Sequence, residues 1–320
     1  MNKKKTIFAL LKYFFLALVL YYVGKFMIKS IGDLQKVDIQ IDYKFIILAY
    51  VTHFIYLFMR SLIWHYITKI NNASIKLRDA ITIWFISLLG KFIPGKVFYL
   101  GVRVYHYKKK GESGASIVFS FFLEYMTGIA ASVLLFVLSF SFIPKTVFHA
   151  YRPYGILLTC IILIVLHPKI LTILFSLMEK VFKKKMPKLG NIRYSDILKL
   201  TALYFCAWGV MGLGFYFCAS SIYPLPLVDY LYVSGAFSLA TIIGILSLFA
   251  PSGIGVREGV IIATMSQIVS SGIASIIAII ARIWATSSEL FWVGVVYVIS
   301  LFFGKEKISI SRHSADAIDV

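Results

Sequence analysis

Long apolar runs alternate with short polar connections along this chain. Crossing a bilayer takes about 20 consecutive apolar residues. Six runs are long enough, namely Ile7–Ile28, Tyr43–Ile67, Ala115–Ile143, Tyr154–Leu171, Ile197–Ser220 and Ile273–Phe303. Because a helix satisfies its own backbone hydrogen bonds within lipid, the pattern predicts an all-α polytopic membrane protein with about six full spans.

Two further apolar segments run into stretches rich in proline and glycine. Ala80–Leu89 continues into a first break at 90–103, and Leu227–Ala250 continues into a second break at 251–258. Proline removes a backbone donor and glycine loosens a helix, so broken backbone at membrane depth must be buried in protein or line a polar cavity. We predict a re-entrant helical pair at each break. The run Leu227–Ala250 is itself long enough to cross, which leaves full crossing open there.

The two breaks resemble each other in sequence. PGKVFYLGVR at 94–103 and PSGIGVR at 251–257 each follow an apolar segment and end in Gly-Val-Arg. Interrupted segments in corresponding places are typical of transporters built from inverted repeats. The pattern therefore favours an inverted repeat whose two breaks meet near the bilayer centre. The alternative is that Gly and Pro interrupt both segments by chance.

Basic residues concentrate in the polar connections. The chain is 60% hydrophobic and carries 33 Lys and Arg against 14 Asp and Glu, a net charge of +19. Their position between apolar runs indicates the positive-inside bias and attraction to anionic lipid headgroups rather than nucleic acid. If Ala80–Tyr107 enters and leaves on one side, every basic cluster is cytoplasmic. We therefore expect a multi-pass protein of the cell membrane with both termini in the cytoplasm.

No stretch of the chain predicts a separate soluble domain. The longest polar segments, Lys180–Asp196 and Lys305–Val320, are too short to bury a core. We expect residues 1–320 to form a single integral membrane domain.

Several ionisable residues fall inside the apolar segments, where charge is costly and usually functional. Arg282 and Glu289 lie two helical turns apart on one face of the last span, about 10 Å along the axis. A helix beginning near Gly255 would favour an anion. The candidate headgroup site combines these charges with the residues that break the backbone: Arg257, Glu258, Arg282, Glu289, Arg103, Glu124, Pro251, Gly253 and Gly255.

The charged residues also have structural interpretations. A lone carboxylate in a span needs a partner or a proton, and Arg103 is the natural partner of Glu124. Arg282 and Glu289 could instead bridge to neighbouring helices and only fix their packing. Arg60 lies towards the inner end of the second span, where we expect it to snorkel to the headgroups rather than contact a ligand.

The motifs of common catalytic and cofactor sites are missing. GKFIPGKV at 90–97 approaches a nucleotide-binding loop, but Val97 stands where Ser or Thr would hold magnesium, and a membrane helix replaces the preceding strand. The six histidines are scattered, and neither an Asp-x-Asp nor a Gly-x-Ser-x-Gly motif occurs. We expect no catalytic residues, no metal and no cofactor, and a protein that is not an enzyme.

The chain resembles the flippase-like transmembrane domain of lysylphosphatidylglycerol synthases, which also occurs in stand-alone membrane proteins. The resemblance rests on PSGIGVRE at 251–258, PGKVFYLGVR at 94–103 and KKGES at 109–113, and it covers essentially the whole chain. Relatives often carry an acidic-Arg pair in the span after the first break, where this chain has Glu124-Tyr125. Bifunctional relatives add a soluble aminoacyl-transferase domain, so without one this chain is not expected to make the aminoacylated lipid.

The resemblance implies movement of a lipid with a charged or sugar-bearing headgroup between leaflets. A phospholipid, an aminoacyl lipid and a polyprenyl-phosphate sugar all fit, and the membrane lipid would be the main partner. Two alternatives remain open: a membrane-embedded transferase, and an assembly partner in envelope lipid or polysaccharide synthesis. A homo-oligomer and a complex with envelope-synthesis enzymes are further possibilities.

Overall fold

The computed structural model of the protein describes residues 40–92, 97–141, 152–173, 192–246 and 255–303, together with Ser176. Within these ranges the secondary structure is helical and includes no strand. The helices are α1 (Tyr43–Ile70), α2 (Leu77–Leu88), α3 (Val97–Lys109), α4 (Gly114–Ser141), α5 (Arg152–Val165), α6 (Tyr194–Ser220), α7 (Tyr230–Leu246), α8 (Val256–Met265) and α9 (Ser271–Phe303).

Five helices of the described part are long and apolar enough to cross a membrane, which confirms the predicted all-α polytopic class. They are α1, α4, α6, α9, and α7 taken together with the 3-10 turn at Leu227–Asp229. Four of them, α1, α4, α6 and α9, lie where full spans were predicted. The predicted first span, Ile7–Ile28, lies outside the described residues.

The span predicted at Tyr154–Leu171 is not one continuous helix. Helix α5 has 14 residues, ends at Val165, and is followed by a turn before a helical stretch at 168–173. Pro168 explains the interruption, because proline has no N–H to donate and disfavours the helical conformation of the residue before it. A helix of 14 residues rises only about 21 Å, so α5 alone is shorter than the hydrocarbon core.

The first break is built from two short helices. Helix α2 has 12 residues and continues through a 3-10 turn at Leu89–Phe92, and α3 has 13 residues. At about 1.5 Å per residue neither crosses a bilayer alone, as a re-entrant pair requires. The two helices pack against each other, and Gly90 lies so close to the backbone of Tyr99 that a Cβ atom would be 2.6 Å from its nitrogen.

At the second break a long and a short helix follow each other. Helix α7 and the 3-10 turn before it, Leu227–Asp229, together give a span of 19 residues, Leu227–Ile245, that is long enough to cross, whereas α8 has only 10 residues. Full crossing by α7 thus fits the structure better than a re-entrant pair over the whole segment. The membrane side of each helix and the inverted repeat stay predictions, because Pro94, Pro251 and Gly253 lie outside the described residues.

Helix α6 occupies the centre of the helix bundle and packs against α1, α4, α7 and α9. Small residues let its neighbours approach closely. A Cβ atom at Gly212 would lie 2.4 Å from the Cβ of Ser234 on α7. Large apolar side chains remain exposed on the outer faces of α1 and α5, including Ile47, Val51 and Leu157, as expected where lipid covers the protein.

Candidate functional site

A first charge cluster, formed by Arg60, Arg103 and Glu124, joins helices α1, α3 and α4. Glu124 is buried and uses both carboxylate oxygens. Its Oε1 accepts a hydrogen bond from Nη2 of Arg60 at 2.8 Å and another from Nε1 of Trp84 at 3.3 Å. Its Oε2 accepts a hydrogen bond from Nη1 of Arg103. The predicted pairing of Arg103 with Glu124 is therefore confirmed.

Arg103 is held on every side. Its side chain is 0% exposed, its Nε donates to the Ser87 hydroxyl at 2.9 Å, and its Nη2 donates to the Tyr99 hydroxyl. Tyr99 precedes Arg103 by four residues, so the two side chains share one face of α3. The guanidinium carbon also lies 4.1 Å from the centroid of the Trp64 ring, a cation–π contact. All three guanidinium nitrogens of Arg103 thus have protein partners.

Arg60 is placed differently from the sequence-based expectation. It does not snorkel to the headgroups but pairs with Glu124, and its side chain is 24% exposed. Its Nη1 donates to the Tyr56 hydroxyl at 3.3 Å, while its Nε has no hydrogen-bond partner among the described residues. Rings of Tyr56, Trp84 and Tyr204 lie 5.7, 5.4 and 6.0 Å from the guanidinium carbon. A tyrosine four residues earlier is the only sequence signal for this placement, and that signal is weak.

A second charge cluster consists of Arg257, Glu258, Arg282 and Glu289, on helices α8 and α9. Gly255 precedes α8 with a φ of 84°, a left-handed conformation that favours glycine. Its N–H donates to Oε2 of Glu258 at 2.7 Å, one half of a capping box. The same carboxylate lies in the first turn of α8, where the helix dipole favours negative charge. The glycine and glutamate of the second motif thus build the start of α8.

The second cluster is looser than the first. Nη1 of Arg282 lies 3.6 Å from Oε1 of Glu258, an ion pair beyond ordinary hydrogen-bond distance. The Arg257 guanidinium lies over the Phe237 ring of α7, 4.4 Å from its centroid. Glu289 is buried, and its charge acts on both Arg257 and Arg282. The bridge from Arg282 to a neighbouring helix, considered above as a structural alternative, is present.

One face of α1 connects the two clusters. Tyr56 accepts a hydrogen bond from Arg60 of the first cluster and lies near Arg257 of the second. One turn earlier, the His53 ring lies 6.0 Å from that of Tyr56 and 5.2 Å from the Trp284 ring of the last span. The six charged residues predicted from sequence, with Arg60 added, thus lie in two neighbouring clusters, and four arginines against three glutamates leave one net positive charge.

Two predicted site residues, Pro251 and Gly253, lie outside the described residues. Within the described ranges, no three His, Cys, Asp or Glu side chains come together as a group that could hold a metal ion.

Comparison with known proteins identifies the family of the chain. A sequence model of the family described as "Lysylphosphatidylglycerol synthase TM region" matches residues 9–287. The matched range includes every residue of the two clusters except Glu289, which follows its end by two positions. No curated protein matches the chain.

Proposed function

Because the chain belongs to the family of lysylphosphatidylglycerol synthase transmembrane regions, a membrane domain of lipid-modification and flippase-type proteins, we propose that it moves a lipid between the two membrane leaflets. The lipid would carry an anionic or glycosylated headgroup. A phospholipid, an aminoacyl lipid and a polyprenyl-phosphate sugar all have the phosphate that this proposal requires.

The observation that carries the proposal is the pair of charge clusters inside the transmembrane part. Ionised side chains there are costly, and they mark transport pathways and ligand sites more often than ordinary packing. Arg60 and Arg103 together face a single carboxylate, Glu124. The fork of a guanidinium matches the oxygens of a phosphate, so the excess positive charge suits a phosphate-bearing headgroup.

The connection through α1 supports movement rather than static binding. His53, Tyr56 and Arg60 place polar atoms along one helix face between the two clusters, about 10 Å from first to last. A headgroup could exchange partners along this face while its acyl chains stay in the surrounding lipid. Proton coupling through Glu124 is disfavoured, because both of its carboxylate oxygens already accept hydrogen bonds from cationic side chains.

We further propose that the protein has no catalytic turnover of its own and that both termini are cytoplasmic. The second part can be tested separately by labelling cysteines placed at Lys109 and His313 from either side of the membrane. Labelling from opposite sides would contradict it.

A reconstituted assay tests the function. Purified protein is placed in liposomes containing fluorescent phosphatidylglycerol, fluorescent phosphatidylcholine or a fluorescent polyprenyl-phosphate sugar, and an impermeant quencher reports how much lipid remains in the inner leaflet. We expect faster exchange of at least one phosphate-bearing lipid than in protein-free liposomes. A chemically altered lipid, detected by mass spectrometry without leaflet exchange, would favour the transferase. If the protein neither moves nor alters any of these lipids, the result would favour an assembly partner in envelope synthesis.

A further inference from the structure

We propose that Arg60, while still paired with Glu124, is the residue of the first cluster that binds the lipid phosphate. The site thereby selects headgroups of net negative charge. The inference rests on the proposed function, because it assigns the substrate class and the first contact of the same site. It begins from a difference between two arginines that share one carboxylate.

Arg103 is more fully engaged by protein acceptors than Arg60, because each of its guanidinium nitrogens makes a hydrogen bond. Its Nε and both terminal nitrogens donate to Ser87, Tyr99 and Glu124, and its side chain is fully buried. Moving any of these donors to a phosphate would break an existing hydrogen bond of a fully buried side chain. Arg103 therefore positions Glu124 and does not contact the lipid in this proposal.

Arg60 has donor capacity beyond its hydrogen bond to Glu124. One terminal nitrogen donates to Glu124 at 2.8 Å, whereas the other makes only a 3.3 Å contact with the Tyr56 hydroxyl. The buried Nε donor has no partner among the described residues. An unsatisfied buried donor costs about 1–3 kcal/mol, so an acceptor at this edge of the guanidinium is strongly favoured.

A second unsatisfied group lies beside the first. Tyr204 of α6 is 1% exposed, and its hydroxyl has no hydrogen-bond partner among the described residues. Its ring lies 6.0 Å from the guanidinium carbon of Arg60. A phosphate oxygen between Arg60 and Tyr204 would satisfy both groups, since a phosphate has several acceptor oxygens. The two donors come from separate helices, α1 and α6.

Charge balance gives the substrate class. Two guanidinium groups and one carboxylate leave the first cluster with one excess positive charge among the described residues. A phosphodiester brings one negative charge and neutralises the cluster. A headgroup that adds two ammonium groups to its phosphate is itself positively charged and would raise the positive excess further at a depth where charge is costly. Anionic lipids such as phosphatidylglycerol should therefore bind more tightly than the same lipid esterified with lysine.

Native mass spectrometry of the full chain in detergent tests the inference. The protein is titrated with phosphatidylglycerol, phosphatidylcholine and lysyl-phosphatidylglycerol, and the bound fraction is measured for the wild type, Arg60→Gln, Arg60→Lys, Tyr204→Phe and the control Lys110→Gln. Lys110 forms a partly exposed ion pair with Asp79 outside the cluster.

For phosphatidylglycerol we expect about tenfold or more weaker binding by Arg60→Gln and a smaller loss for Arg60→Lys and Tyr204→Phe, because each loses fewer donors to phosphate. Lys110→Gln should bind like the wild type. Phosphatidylcholine and the lysyl lipid should bind more weakly than phosphatidylglycerol to the wild type and should be insensitive to Arg60. Millimolar inorganic phosphate should not displace the lipid.

Three results would overturn the inference: phosphatidylglycerol binding unchanged in both Arg60 variants, tighter binding of the lysyl lipid, or displacement by inorganic phosphate, which would identify a site for free anions. Should Arg60→Gln fail to fold, Arg60→Lys and Tyr204→Phe decide the outcome. Binding is measured without leaflet exchange, so a protein that binds phosphatidylglycerol through Arg60 but moves no lipid would contradict the proposed function alone.

Discussion

The two charge clusters use the same residue types in different ways. In the first, Glu124 accepts hydrogen bonds through both oxygens, and Arg103 is enclosed by Ser87, Tyr99 and Trp64. In the second, Arg282 and Glu258 lie 3.6 Å apart, and Arg257 lies over an aromatic ring. The number of hydrogen bonds that each charged group makes, and not its burial alone, therefore distinguishes the two clusters. We call the Arg103–Glu124 pair of the first cluster the anchor, because it holds helices together, whereas charged groups with fewer hydrogen bonds can change partners.

The largest expected effect is the loss of stability on removing Arg103 from the first cluster. Arg103→Ala would leave Glu124 with Arg60 alone and would empty a fully buried aromatic cage. Breaking a buried ion pair from one side costs about 3–5 kcal/mol, so we expect poor expression and a much lower Tm in detergent. Lys110→Ala, which removes a partly exposed pair with Asp79, should cost only about 0–1 kcal/mol. Equal Tm values for the two variants would show that the first cluster is not an anchor.

The second cluster should respond in activity instead. We expect Arg257→Ala and Arg282→Ala to abolish lipid translocation while expression remains largely intact, since Arg257 lies over an aromatic ring and Arg282 makes an ion pair of 3.6 Å. Leaflet exchange in liposomes and Tm of the purified variants provide the two readouts. If both variants are largely unfolded but the folded fraction is fully active, the second cluster serves only to fix helix packing.

Helix packing beneath the second cluster can be disturbed without changing any charge. A Cβ atom at Gly212 would clash with Ser234 of α7, the helix whose Phe237 ring supports Arg257. Gly212→Ala should therefore cost about 1–3 kcal/mol and should lower translocation. Gly209→Ala is the matched control on the same helix, because its nearest contact would be an ordinary 3.6 Å. A lower Tm for Gly209→Ala than for Gly212→Ala would contradict this account of the packing.

The link between the clusters should contribute less than either cluster. Tyr56→Phe removes one hydroxyl that accepts a 3.3 Å hydrogen bond from Arg60. Such a bond contributes about 0.5–1.5 kcal/mol, so we expect a reduction in translocation of roughly tenfold at most and little change in Tm. An undiminished rate in leaflet-exchange assays would show that lipid passes without using the face of α1.

The last effect, absent at neutral pH, is a pH dependence that arises outside both clusters. Burial, with Lys109 and Lys110 nearby, lowers the pKa of His106 from its ordinary 6.5 to about 4. His106 is neutral in the folded protein above about 4, whereas the unfolded chain takes up a proton below about 6.5. Stability is therefore fully present above pH 6.5 and declines as the pH falls towards 4.

His106→Gln should remove this decline, as measured by Tm between pH 4 and 7. The comparison of His106→Gln with the wild type is needed because His106 lies on α3, one turn from Arg103. Without it, the titration of His106 could be attributed to the first cluster. A decline that persists unchanged in His106→Gln would point to another group.

Much of the fold could be predicted because membrane helices follow from local pattern. Apolar length alone located α1, α4, α6 and α9. Apolar length did not predict the interruption of the helix within Tyr154–Leu171, because the residues around the turn before Pro168 are mostly apolar. Length also left Leu227–Ala250 undecided, since the sequence does not say on which side a helix starts.

The sequence by itself determined that charges would be buried in a helical membrane protein, and that Arg103 and Glu124 would need each other. Both conclusions follow from the high cost of an isolated charge in lipid. Only the tertiary structure decided that Arg60 joins them and that Tyr56, which accepts a hydrogen bond from Arg60, lies near Arg257. An arginine in a span can snorkel or pair, and the choice depends on helix rotation and on a partner 64 positions away, which no local pattern records.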